Sequence, residues 1–240
     1  MSRIPELFGP MEFYRTAQVF DDFWYYVSGD LWTSLAADSG ATVAESDNHL
    51  GLVLLTTGAT NNNEAAIKSS NEIFLFTDNR PITVEGALQW TEANVDDANV
   101  FFGLCSALAD DTLGDDGAGP RASGSIAGFY KVDGATLWSV VSRNGSNATT
   151  NVTNVTSAGA GLIQRLTIQI AEFSGTQCQV TYFVNGVQCV DNTTLKPIVH
   201  TVLYASATEM NLGTYVKAGG SNSEVVFLDY MAGVQRGRTV

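Results

Sequence analysis

The chain has 240 residues, 45% of them hydrophobic and only 15% charged, with 23 glycines and a formal net charge of −13. Charged residues make up roughly 25% of an ordinary globular protein, and a chain poor in charge but rich in Gly, Thr, Asn and Val describes sheets and turns rather than helices. The negative balance argues against a nucleic-acid partner, which needs clustered Lys and Arg, and no stretch is apolar for long enough to span a bilayer as a helix.

Met1 to Ala17 is weakly patterned. It reads either as an arm that orders against a neighbour or as a strand that closes a sheet. Strand signals then run from about Phe20 to Val234 without a linker, so the expectation is a segment 1–17 followed by one domain, 18–240. Met1–Pro10 lacks the apolar run of a signal peptide, which implies folding in a cytoplasm.

Strands are expected at Phe23–Val27, Leu31–Ala36, Leu50–Thr56 and Ile73–Phe76. From Ile82 to Thr91 the period is two, with Ile82, Val84, Gly86, Leu88 and Trp90 on one face and Thr83, Glu85, Ala87 and Gln89 on the other. Val100–Leu108, Ile126–Val132 and Leu137–Arg143 follow, then Leu166–Ile170 with alternating apolar residues. Asn185-Gly186 lies between two β-rich runs and sets a two-residue hairpin, pairing Val184 with Val187 and Tyr182 with Cys189. Continued, that register places Cys178 opposite Thr193. The two cysteines are then offset by about 13 Å along the strand, too far for a disulfide. Three reduced thiols (Cys105, Cys178 and Cys189) are expected. Val202–Ala207 and Val225–Val234 complete the series, the last apolar on both faces and so central in its sheet. More than ten strands with turns between them predict an all-β antiparallel sandwich of two large sheets.

The inventory for chemistry is thin. His49 and His200 are the only histidines, and there is no C-x-x-C, H-x-x-x-H or G-x-S-x-G pattern. Asp110, Asp111, Asp115 and Asp116 crowd one loop with two glycines. Hard oxygen ligands of this kind suit calcium, and a solvated acidic loop is the plainer reading. No other cofactor is expected. Trp24, Trp32, Trp90 and Trp138 are candidates to stack on sugar rings. The run Phe23-Trp24-Tyr25-Tyr26 is dense enough for a core or a subunit interface. Asn144, Asn147, Asn151, Asn154 and Asn192 each open an N-x-[ST] triplet, read here as a by-product of Asn/Thr-rich loops.

Three segments in order resemble the concanavalin A-like lectin/glucanase sandwiches: Leu50–Thr57, the hairpin Gln179–Val190 after the strand Leu166–Ile170, and the closing Val225–Arg236. Lys196-Pro197 before His200–Ser206 fits as well. The resemblance implies a two-sheet jelly roll, a fold that hosts lectins, hydrolases and purely structural proteins. Laminarinase-type members carry E-x-D-x-x-E on one strand. That pattern is missing here, and Glu72 and Glu85 are single carboxylates on separate strands.

In texture the chain also resembles the jelly-roll domains of tailed-bacteriophage virion proteins. That likeness implies a non-enzymatic capsid decoration or cement protein, assembled into virions in a host cytoplasm. It would be a homotrimer seated on the major capsid protein of the shell. Arg3, Ile4, Leu7, Phe8, Phe13 and Tyr14 of the arm would be the partner contacts. The alternative is a glycan-binding, lectin-like module, including one on a virion that touches a host surface.

Overall fold

The computed structural model describes residues 16–46, 51–77, 79–92, 97–145, 150–155, 161–204 and 208–237. Two antiparallel sheets face each other. The first, sheet A, has nine strands: β1 (Thr16–Asp21), β3 (Thr42–Glu45), β4 (Val53–Thr56), β6 (Ile82–Thr91), β13 (Gln164–Ser174), β14 (Gln177–Val184), β15 (Val187–Gln188), β16 (Val199–Leu203) and β18 (Val225–Arg236). Sheet B has seven: β2 (Trp32–Leu35), β5 (Glu64–Ser69), β7 (Ala98–Cys105), β10 (Ile126–Lys131), β11 (Ser139–Arg143), β12 (Asn151–Asn154) and β17 (Asn211–Ala218). A small ribbon of β8 (Leu113–Gly114) and β9 (Gly119–Pro120) stands apart. Among the described residues no helix is long and apolar enough to cross a membrane.

The inner faces meet in one core. Val84, Leu88, Trp90, Leu166, Ile168 and Leu228 come from sheet A, and Val100, Phe102, Phe129, Val140 and Leu212 from sheet B. An aromatic seam crosses between the layers. Trp90 and Trp138 meet edge to face at 4.9 Å between centroids, and Phe129 sits edge-on to both Trp138 and Tyr182. The polar tips in this seam are satisfied: Trp138 Nε1 donates to Gln164 Oε1 at 2.6 Å and the Tyr182 hydroxyl to the Val141 carbonyl at 2.7 Å. Large rings can therefore be buried without an unpaired donor.

Sheet B is buried on its outer face too. Residues 106–125 fold back as a roof over it and enclose a second cluster of Phe101, Cys105, Leu108, Leu113, Ile126, Tyr130, Val141 and Tyr215. Close approach of the roof needs glycine beneath it. A Cβ on Gly213 would stand 2.4 Å from the Ile67 carbonyl oxygen and 2.8 Å from Leu108 Cδ1. Double burial explains why every residue of β7, β10 and β17 is buried.

Several expectations change. Residues 23–27 are not a strand but a bend, with Phe23 at φ 50°. Residues 73–76 contribute only a bridge from Phe74 to Met210. The hairpin register is as read, with Val184 opposite Val187 and the Cys189 amide donating to the Tyr182 carbonyl. The returning strand stops at Gln188, however, so Cys178 pairs with Val202 of β16 rather than Thr193. All three cysteines are buried and free. β1 begins at Thr16 and pairs along β18 from Arg236 to Met231. The six arm residues expected to contact a partner (Arg3 to Tyr14) lie outside the described residues, as do His49 and Asn147.

His200 clasps the two layers on the β16 side. Its Nδ1 lies 3.0 Å from Ser142 Oγ on β11 and its Nε2 3.0 Å from Thr153 Oγ1 on β12. Burial pushes the imidazole down to about 4, so the folded protein holds it neutral. The unfolded chain takes up the proton near pH 6.5, and folding therefore loses stability as pH falls from about 6.5 towards 4. At about 1.4 kcal/mol per pKa unit the loss approaches about 3 kcal/mol. Urea unfolding at pH 7 and pH 4.5 should show it, and His200→Gln should remove that part of the pH dependence.

Candidate functional site

Two regions gather polar side chains. The first lies under the roof of sheet B. Lys217 on β17 is fully buried, and its Nζ stands 2.8 Å from Asp111 Oδ1 and 2.7 Å from Asp115 Oδ1 while donating to the Leu113 carbonyl at 3.0 Å. Glu64 on β5 is 3.9 Å away. Burial opposes the charge on Lys217, but the hydrogen bonds to Asp111 and Asp115 and the Glu64 charge outweigh it and hold the ammonium above its usual range. Asp111 is correspondingly held below the usual carboxylate range by its bond to Lys217.

The four loop carboxylates considered for calcium are thus distributed among other tasks. Asp111 and Asp115 neutralise Lys217. Asp116 accepts from Asn61 Nδ2 at 3.0 Å, and Asp110 borders a closed crevice beside Tyr215. Among the described residues no group of three or more His, Cys, Asp or Glu is placed to hold a metal ion. The cluster ties the roof down.

The second region is open. On the outer face of sheet A, at the end where β6 finishes and β18 starts, a cleft of about 360 Å³ is lined by Leu52, Leu88, Gln89, Thr91, Ile163, Phe227 and Asp229. It crosses the adjacent strands β13, β6, β18 and β4. A β-bulge builds its acidic wall. Leu228 pairs with Leu88 and Tyr230 with Ala87, so Asp229 is the extra residue and both Asp229 and Tyr230 turn outward. Burial, and secondarily the charge of Asp22, push the Asp229 carboxyl above the usual range.

An aromatic knuckle stands beside this wall. Phe23 takes the left-handed backbone region at φ 50° and drives its ring into the core against Trp32 and Tyr26. Asp21 holds the turn: Oδ1 accepts from the Phe23 amide and Oδ2 from Trp32 Nε1, both at 2.8 Å. The Tyr26 amide donates to Glu45. Phe23 and Tyr26 therefore turn inward, leaving the two rings between them, Trp24 and Tyr25, 67% and 74% exposed. Such a backbone costs of order 1–3 kcal/mol and persists only where its surroundings fix it. The knuckle touches the cleft through Gly51, where a Cβ would lie 2.6 Å from the Asp22 carbonyl and 3.8 Å from the Trp24 amide nitrogen. Leu52, the next residue, lines the cleft.

Further along the same face, Glu85 accepts from the Tyr230 hydroxyl at 2.6 Å and from Thr167 Oγ1 at 2.7 Å, with Arg165 Nε at 3.8 Å. Of the residues singled out from the sequence, Glu85 is on this open face and Trp24 is exposed on the knuckle, whereas Trp32, Trp90 and Trp138 are core and Glu72 is exposed in the turn after β5. Asp229, Gln89 and Tyr230 were not foreseen. The signal for Asp229 lay in the spacing of Leu228 and Met231, three apart where alternation demands two.

No family model matches the chain, and no curated protein does. Solved structures are similar over nearly its whole length. An endo-1,3-beta-glucanase from Streptomyces sioyaensis matches with a TM-score of 0.61 at 14% identity, covering 92% of this chain and 97% of its own. Peanut lectin gives 0.58 at 11%, covering 94% and 99%. The carbohydrate recognition domain of Emp47p gives 0.57 at 8%, covering 94% and 98%. Likeness at such identity shows the fold alone: a concanavalin A-like lectin/glucanase jelly-roll sandwich.

The buried ammonium gives a direct test of the roof. Lys217→Met should destabilise the protein by about 3 kcal/mol, the lower end for breaking a buried pair, because Asp111 and Asp115 can rehydrate. Limited proteolysis of the variant should cut first within residues 106–125.

Proposed function

We propose that the protein is a non-catalytic saccharide-binding module whose site is the cleft on sheet A together with the Trp24–Tyr25 knuckle. The observation that carries this reading is a positive-φ turn that exposes the rings of Trp24 and Tyr25 and whose backbone packs on Gly51, next to Leu52 of a cleft that offers an amide, a hydroxyl and a carboxylate. A sugar ring offers an apolar face for stacking and a rim of hydroxyls for hydrogen bonds, and this combination suits both. Solved neighbours that include a lectin and a carbohydrate recognition domain agree with it.

A glycan array, run with and without calcium, should reveal saccharide ligands, and binding should not require the ion. Trp24→Ala should weaken the strongest interaction on the order of tenfold or more while leaving thermal unfolding unchanged. Asp229→Asn should weaken it less. No binding at millimolar sugar, or full binding by Trp24→Ala, would overturn the proposal.

A second reading rests on a separate feature. Phe20, Trp24, Tyr25, Val27 and Leu31 are all more than 40% exposed within one short stretch, and that stretch continues from residues 1–15. An apolar strip of this kind also suits a protein partner. In this reading the domain decorates a virus shell, as a homotrimer on the major capsid protein, with the arm as clasp. Deleting residues 1–15 should then abolish co-sedimentation with purified shells and leave the sandwich folded. Decoration that survives the deletion would remove the arm from the mechanism.

A further inference from the structure

Among the described residues nothing covers the outer face of sheet A beyond the cleft, and the strand registers order it in rows. Phe227 lies opposite Gln89 in the cleft. In the next row Tyr230, Ala87 and Arg165 stand side by side on β18, β6 and β13. In the row after that come Ala232, Glu85 and Thr167. Tyr230 and Arg165 both reach across small Ala87 to Glu85, which explains why Ala87 is only 4% exposed although it faces outward.

This arrangement continues the chemistry of the cleft. Tyr230 extends the aromatic line begun by Phe227. Arg165 and Glu85 keep half and a third of their side-chain surface in solvent, so each has donor or acceptor capacity left to use. Gln89 and Glu85 are four residues apart on β6, about 13 Å along the strand, further than one sugar ring reaches. Charge narrows the ligand. The cationic Arg165 is paired to Glu85, Asp229 adds a carboxylate, and the chain carries a net −13. A polyanion such as a uronic-acid polymer would be repelled.

We propose that this surface is an extension of the cleft that binds an extended, neutral glucan chain, with Tyr230 and Arg165 contacting sugar units beyond the one held at the knuckle. The inference rests on the saccharide-binding reading and adds to it a length requirement and two specificity-determining residues.

Calorimetry with di-, tetra- and hexasaccharides of β-1,3-, β-1,4- and α-1,4-linked glucose tests it. In the unaltered protein at least one series should bind about tenfold more tightly as hexasaccharide than as disaccharide. Arg165→Ala and Tyr230→Ala should each erase most of that ratio while leaving disaccharide affinity unchanged. The disaccharide thereby reports that the variant is folded and its cleft intact. Equal affinity for short and long chains, or a ratio untouched by both variants, would overturn the extension and leave the cleft reading standing. If no glucan of any length binds, the extension falls; if Trp24→Ala is also silent on the wider array, the cleft falls with it.

Discussion

A lysine ammonium beneath a loop decides which face of this sandwich is free. Lys217 is fully buried on β17, and the loop returns over it to bring Asp111 and Asp115 within 2.8 Å. A buried charge without partners is costly enough that the roof has to close if the strand is to pack at all. Once closed, residues 106–125 fill the outer face of sheet B with Leu108, Leu113 and the rings of Phe101, Tyr130 and Tyr215. Among the described residues sheet A has no such cover. The open cleft, the bulge and the Glu85 network all lie on the side that Lys217 leaves exposed.

On that side, function-bearing geometry comes from two local departures from regular strand. A regular β18 would hide every second residue, and continued from Val226 and Leu228 it would point Tyr230 into the core. The extra residue at the bulge shifts the parity, so Asp229 and Tyr230 both face out while Leu228 and Met231 remain buried. At the knuckle, the turn at Phe23 does the same for rings: Phe23 and Tyr26 pack against the core and Trp24 and Tyr25 are displayed. Both are stiff because the inward partners are large and well packed. A ligand meeting them would have little left to order, which is the main cost of holding flexible side chains at an interface.

How much of this could be read from the sequence follows from which faces are wet. β6, β13 and the Asn185-Gly186 hairpin have one buried and one solvated face, so their period of two is plain, and the turn fixes the pairing of Val184 with Val187. β17 and β5 escaped notice. The first is buried on both sides, and its outward row of Asn211, Gly213, Tyr215 and Lys217 looks polar although the roof covers it. The second, Glu64–Ser69, is built from Ala, Lys and Glu, residues that rarely favour strands. The run Phe23–Tyr26 looked like a strand because its composition is that of one. Only the short-range bonds from Asp21 turn it into a bend. The acidic loop drew attention as an ion site because its carboxylates are adjacent in sequence, whereas the cation they meet is a hundred residues away.

The fold is shared with a glucanase and with lectins, so the difference between turning over a sugar and holding one must lie in side chains. Hydrolysis of a glycosidic bond needs two carboxyl groups facing one another across the bond at about 5–9.5 Å. On sheet B the carboxylates under the roof, Glu64, Asp111 and Asp115, gather round Lys217, beside the packed rings of Phe101, Tyr130 and Tyr215. On sheet A the carboxylate of Glu85 already accepts two hydroxyl bonds and stands beside a guanidinium. A group held in that way is suited to orienting Tyr230 and Arg165 towards a ligand. Under the proposed reading, a cleft with a few polar groups and two rings nearby would bind one sugar weakly. Strength then has to come from repetition, either of sugar units along the face or of copies of the domain on a larger particle.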